Sequence, residues 1–224
     1  MKKGDKRGSH VGMIASFAIF ILFLVAMYSV FEPALRTQKD KQNIVNYLEN
    51  ALINEFSGNL TTVAISPYSG NCSQIDNSEL GFLGLNAVVR DKNAVIGSVL
   101  RGQDLIVDAT SENIALFYYA NVSFVNTATA ETGCTTAEIK SITTTEEIYE
   151  EKILYGINNF QNLKDSLNVP PGSEYGFSFL MNNGTEFKAN DIQASQDVYS
   201  KEILIQYINS NAEKLSGKII LKTW

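Results

Sequence analysis

Residues Val11 to Phe31 read VGMIASFAIFILFLVAMYSVF, without one charged side chain. As a helix rising about 1.5 Å per residue this run spans roughly 30 Å, the thickness of a bilayer's hydrocarbon core. A helix packed on a soluble core keeps a polar stripe, and this one is apolar on every face. A cleavable secretory signal has an apolar region of about 7–15 residues that ends at small residues. Here the run ends Tyr28-Ser29-Val30-Phe31-Glu32-Pro33. The feature predicts a retained span that contacts membrane lipid through residues 11–31. Lys2, Lys3, Lys6 and Arg7 precede it, opposed only by Asp5. Positive flanks resist translocation, so the N-terminus is expected in the cytoplasm. The expected localisation is the cell membrane, single-pass, with the C-terminal domain extracellular.

Charge and cysteine content narrow what that domain does. The chain has 224 residues and a net charge of −6; the leader contributes +3, which leaves about −9 for the rest. Nucleic-acid binding needs a basic footprint, so no nucleic acid is expected as a partner. The two cysteines, Cys72 and Cys134, both follow the span. An even count in an oxidising compartment predicts a disulfide between them, with two free buried thiols as the alternative. The single histidine, His10, lies at the membrane edge. Ser-His-Asp and Cys-His sites are thereby excluded, and no phosphate loop, nucleophile elbow or His-Glu-x-x-His occurs. Neither an enzyme nor a cofactor is expected. Asp76-Asn77 with Glu79, and Asp104 with Asp108, are carboxylate pairs without EF-hand spacing, so no metal is expected either. Glu146, Glu147, Glu150 and Glu151 read as a solvated face.

The order Lys6-Arg7-Gly8, then Ser9-His10, then the apolar run, resembles the class III signal peptide of archaeal type IV pilin-like proteins. The resemblance covers about the first 30 residues. It implies a prepilin peptidase that cuts between Gly8 and Ser9 on the cytoplasmic side and leaves the helix on the mature chain. It also implies association with copies of itself or with other pilin-like subunits. Met13 stands where many pilins carry glutamate, and Ser9 where archaeal members often begin with glutamine. An uncleaved signal anchor is the alternative.

Beyond the span, Ile44, Leu48, Leu52 and Phe56 recur every four residues, with Val45 and Ala51 alongside, and predict an amphipathic continuation of the helix. Gly58 would end it in a left-handed conformation. The period then changes to two. Leu60–Ile65, Ala87–Arg90, Val95–Leu100, Leu105–Val107 and Ile114–Val125 are expected strands, antiparallel because their connections are short. Thr127 to Thr145 reads as a loop or surface hairpin around Cys134. Ile157, Phe160, Leu163 and Leu167 predict one short helix over Gly156–Asn168. Asn182-Asn183-Gly184 predicts a hairpin between Tyr175–Met181 and Thr185–Lys188. Ile203–Ile208 and Lys218–Leu221 are the last expected strands.

The expected fold class is α+β. Residues 1–8 form a basic leader, 9–57 a long helix and 58–224 an antiparallel β-rich extracellular domain with one further short helix. Four Asn-x-Ser/Thr triplets follow the span, at Asn59, Asn71, Asn121 and Asn183, and are candidate glycosylation sites. Asn121 is expected inside a strand, and Asn183, on a hairpin tip, is the best acceptor. The expected function is that of a pilin-like surface subunit. The alternative is a static single-span protein whose head binds a partner, such as a sugar, a surface layer or an archaellum component.

Overall fold

A computed structural model describes residues 8–66, 72–76, 80–81, 85–92, 94–102, 104–108, 114–125, 133–169, 174–189 and 198–224. Two units divide the chain, Met1–Asn46 and Tyr47–Trp224. Helix α1 runs Gly8–Phe56. Within the first unit, Gly12–Glu32 is 21 residues long, apolar enough to cross a membrane, and none of it is buried. Ser29 donates to the Val25 carbonyl at 2.8 Å, so its hydroxyl is satisfied inside the helix. Residues 1–7 lie outside the described residues, as does the side chain of Ser9.

The second unit begins with the last turns of α1. Leu48, Leu52 and Phe56 are fully buried, as their four-residue spacing predicts. Tyr47 Oη donates to the Leu167 carbonyl at 2.8 Å, and Lys201 forms an ion pair with Glu49. No loop follows the helix. It ends at Phe56, and β1 starts at Ser57. The expected left-handed glycine at 58 is therefore corrected. Gly58 lies inside β1, and a Cβ there would stand 3.2 Å from both Lys152 Nζ and Tyr149 Cε2. It is small because α2 and the end of β9 approach closely.

The strands are β1 (Ser57–Ser66), β2 (Cys72–Asp76), β3 (Asn86–Arg90), β4 (Val95–Ile96), β5 (Ser98–Arg101), β6 (Asp104–Asp108), β7 (Ala115–Ala120), β8 (Thr135–Thr136) and β9 (Glu138–Tyr149). Helices α2 (Glu150–Asn158) and α3 (Phe160–Ser166) follow, then β10 (Tyr175–Leu180), β11 (Glu186–Ala189), β12 (Tyr199–Ile208) and β13 (Lys214–Thr223). Nine strands form one sheet in the order β11-β10-β13-β12-β9-β1-β7-β3-β4, and four form another, β5-β6-β2-β8. The fold is α+β and mostly antiparallel.

The expected strand Val95–Leu100 is cut at Gly97, with Val95–Ile96 in the large sheet and Ser98–Arg101 in the small one. The Gly97 carbonyl accepts from the Asp108 amide at 2.8 Å, so the crossing peptide is not left unpaired. Between the sheets lies a core of Val63, Ile65, Val89, Ile96 and Phe117 against Ile75, Leu105 and Val107. The large sheet is also covered on its other face, where Leu60, Val88, Val122, Tyr149 and Ile208 cluster. Two joints are parallel rather than antiparallel. Ser73 and Gln74 pair with Thr135 and Thr136, and Tyr207 and Ile208 pair with Ile148 and Tyr149.

Three further expectations are corrected. The threonine-rich stretch Thr127–Thr145, read as a loop or a surface hairpin, lies outside the described residues up to 132 and ends in β9, whose 12 residues make it the longest strand described. β7 stops at Ala120, so Asn121 stands outside the strand, at a bend. The single helix expected over Gly156–Asn168 is two, because α2 starts at Glu150 and the chain breaks at Asn159, where φ is −117° and ψ 42°. The Asn182-Asn183-Gly184 hairpin forms as expected, with Gly184 at φ 85°.

Candidate functional site

An open cleft of about 440 Å³ lies where the end of α1 meets α2, α3 and the residues after β7. Phe56, Val122 and Leu163 supply its apolar walls. Phe56 is held by Phe177, with ring centroids 5.7 Å apart, and Phe177 by Phe160 at 6.3 Å. Gly156 opens the floor: a Cβ there would lie 2.9 Å from Phe56 Cε1 and 3.1 Å from Leu163 Cδ2.

Glu55, Asn121, Glu151, Lys152, Tyr155 and Asn162 rim the cleft. Their hydrogen-bonding capacity is unevenly spent. Glu151 accepts from Ser123 Oγ at 2.9 Å and from the Ser123 amide. Lys152 donates to the Ser57 carbonyl. Among the described residues, no hydrogen bond or ion pair engages the side chains of Glu55, Asn121, Asn162 or Tyr155. Tyr155 is 66% exposed, although it is a large aromatic residue on a helix. It also borders a second depression of about 390 Å³ with Ser123, Glu150, Leu154, Asn158 and Ser210. Burial pushes the Glu150 carboxyl above its ordinary range.

The acidic run is not an undivided solvated face. Glu146 is exposed, Glu147 pairs with Lys214 at 2.9 Å, and Glu150 and Glu151 open α2. The last two complement the positive end of the helix dipole. Asp76 and Asp104 stand opposite each other in the β2–β6 ladder, while Asp108 is opposite Cys72. Gln74 Nε2 donates to Asp104 at 2.8 Å. Among the described residues no group of three potential metal ligands converges.

Cys72 and Cys134 form a disulfide across a sequence separation of 62. It fixes the stretch before β8 to β2. The sequons fall in unlike places. Asn59 is exposed in β1, its carbonyl accepting from Tyr149 Oη at 3.0 Å. Asn183 Oδ1 is engaged by the Thr185 amide at 2.9 Å. Asn121 is exposed and lines the cleft. Asn71 lies outside the described residues.

Residue reasoning missed the cleft because its members come from three separated segments. Its one sequence trace is Asn158, Asn159 and Asn162, weak helix formers inside a helical pattern. Family models, curated proteins and solved structures give no match to the chain.

Proposed function

We propose that the chain is a pilin-like, membrane-anchored cell-surface subunit with a cytoplasmic N-terminus and an external head. The observation that carries this reading is the 21-residue apolar stretch Gly12–Glu32, none of which is buried. Side chains of that kind are stable only in lipid or against other apolar helices. The disulfide in the second unit fits an oxidising compartment outside the cytoplasm. Lys6-Arg7-Gly8 before the span supports processing between Gly8 and Ser9.

Two measurements test the reading. Protease added to intact native-host cells should digest the C-terminal unit; protection until lysis would reverse the orientation. N-terminal sequencing should find Ser9 first; a chain that retains Lys2 to Gly8 would remove the pilin-like processing. The cleft favours a second reading, a static single-span protein whose head binds a partner. Absence of the chain from sheared surface filaments, with the head still external, would select it.

A further inference from the structure

The geometry points to the cleft between Phe56, Asn121, Tyr155 and Asn162 as a binding site for a neutral saccharide. This deepens the partner-binding reading by naming the ligand class, and it depends on the chemistry of the cleft rather than on membrane topology.

The walls of the cleft disfavour two other ligand classes, apolar molecules and anions. A purely apolar ligand would bury the Asn121 and Asn162 amides without partners, which is costly for groups that bring both donors and acceptors. An anion would meet the Glu55 carboxylate. Among the described residues the one cation on the rim is Lys152, and it is already bonded to the Ser57 carbonyl. A neutral, polyhydroxylated ring meets all of the walls. Its hydroxyls are donors and acceptors that match two amides, a carboxylate and the Tyr155 phenol. Its C–H face is apolar and suits an exposed aromatic ring. A cleft of about 440 Å³ is within the size range of small-molecule sites. The saccharide in this proposal is a separate molecule, not a glycan attached to Asn121 itself.

The test uses the full chain in mild detergent, titrated with neutral hexoses, N-acetylhexosamines and their disaccharides, with sulfated sugars as anionic controls. Binding is read by saturation-transfer NMR and calorimetry. At least one neutral sugar should bind saturably, and Tyr155→Ala should weaken it by roughly tenfold or more. Asn162→Ala should weaken it as well, while Asn183→Gln, outside the cleft, should leave it unchanged. Tyr155 is exposed, so its variant should melt with the parent chain; the binding loss is then not a folding loss. The proposal is overturned if no neutral sugar saturates, if binding ignores Tyr155→Ala, or if only the anionic sugars bind. It is also overturned if native-host protein carries a glycan on Asn121 and the cleft takes no free sugar. Because the assay needs no cell, failure here leaves the membrane reading standing, and reversed topology in cells leaves this result standing.

Discussion

Replacing Gly156 by alanine sets two opposing effects against each other in one side chain. Gly156 is in α2, near its end. In a helix, alanine for glycine ordinarily stabilises by about 1 kcal/mol, because the unfolded chain has less freedom to lose. Here the added methyl would stand 2.9 Å from Phe56 Cε1 and 3.1 Å from Leu163 Cδ2. Carbon atoms prefer about 3.5–4.0 Å, so one side must yield by roughly half an ångström. Phe56 is fully buried with its ring tilted against Phe177, and Leu163 is 6% exposed, so either can yield only by breaking these contacts and shifting into the cleft it walls. Overpacking of this kind costs about 1–3 kcal/mol. The net expectation is a loss of about 1 kcal/mol. Urea unfolding of the full chain in detergent, followed by fluorescence of the single tryptophan, Trp224, measures it. Phe56→Leu removes the ring edge, so Gly156→Ala in that background should cost less or become favourable, giving a positive coupling in the double-mutant cycle. A single Gly156→Ala variant stabilised by about 1 kcal/mol would refute the packing argument.

Three further outcomes are expected. Replacing Cys72 and Cys134 together by serine opens a loop with a separation of 62; in the chain-entropy model this costs about 4 kcal/mol, and an unchanged melting temperature would contradict it. Burial pushes the Tyr149 and Tyr175 phenols well above the ordinary tyrosine range, with Glu147 adding to the shift at Tyr149. Their folded forms keep the proton that the unfolded chain loses, so stability should be intact below the ordinary phenol range and fall as pH rises through it; an ultraviolet titration in which all tyrosines ionise together without unfolding would sink this. The Asn209 amide, followed by Arg90, holds the Glu213 carboxyl below its ordinary range. That contribution is present above the ordinary carboxylate range and is lost as pH falls through the folded value, so Glu213→Gln should flatten the acid limb of the stability curve. An acid limb as steep as the parent's would show that other carboxylates carry it.

Periodicity makes much of this fold legible in the sequence. The four-residue spacing of Leu48, Leu52 and Phe56, and the alternation through Val63 and Ile65, report burial on one side, and those residues are buried. Asparagine-glycine marked the β10–β11 turn because Gly184 tolerates the positive φ. The failures also have physical causes. Val95–Leu100 reads as one strand because only Gly97-Ser98 separates Val95-Ile96 from Val99-Leu100, but the chain changes sheets at Gly97, and composition does not record which sheet receives a residue. Ile114–Val125 reads as one strand because Val122 and Phe124 are apolar, yet both pack on the core from the irregular segment after β7. The break at Asn159 was hidden because Ile157, Phe160 and Leu163 keep helical spacing across it. The cleft was hidden because it joins Asn162 and Ser166 to Phe56 and Asn121, which lie far apart in the sequence.

β9 shows why a strand can look like a loop. Ser141 to Glu146 are all exposed, so nothing selects for apolar residues on either face. Threonine supplies β-branched strand propensity without apolar surface, and Thr61 and Thr144 hydrogen-bond across the ladder at 2.9 Å. β1 covers one edge from Glu138 to Ile148. Among the described residues, the other edge pairs only at Ile148 and Tyr149, with β12. An open strand edge of this length invites pairing with other chains. β9 counters it locally. The register slips between Ala64 and Ile65, which makes Lys140 the extra residue of a bulge. Its ammonium pairs with Glu138 at 2.6 Å at the same place. A bulge bends the strand and interrupts the ladder a partner would need, and a charged pair adds a desolvation cost to any partner that docks. A polar sequence that carries no core signal is therefore what an exposed edge in this position requires.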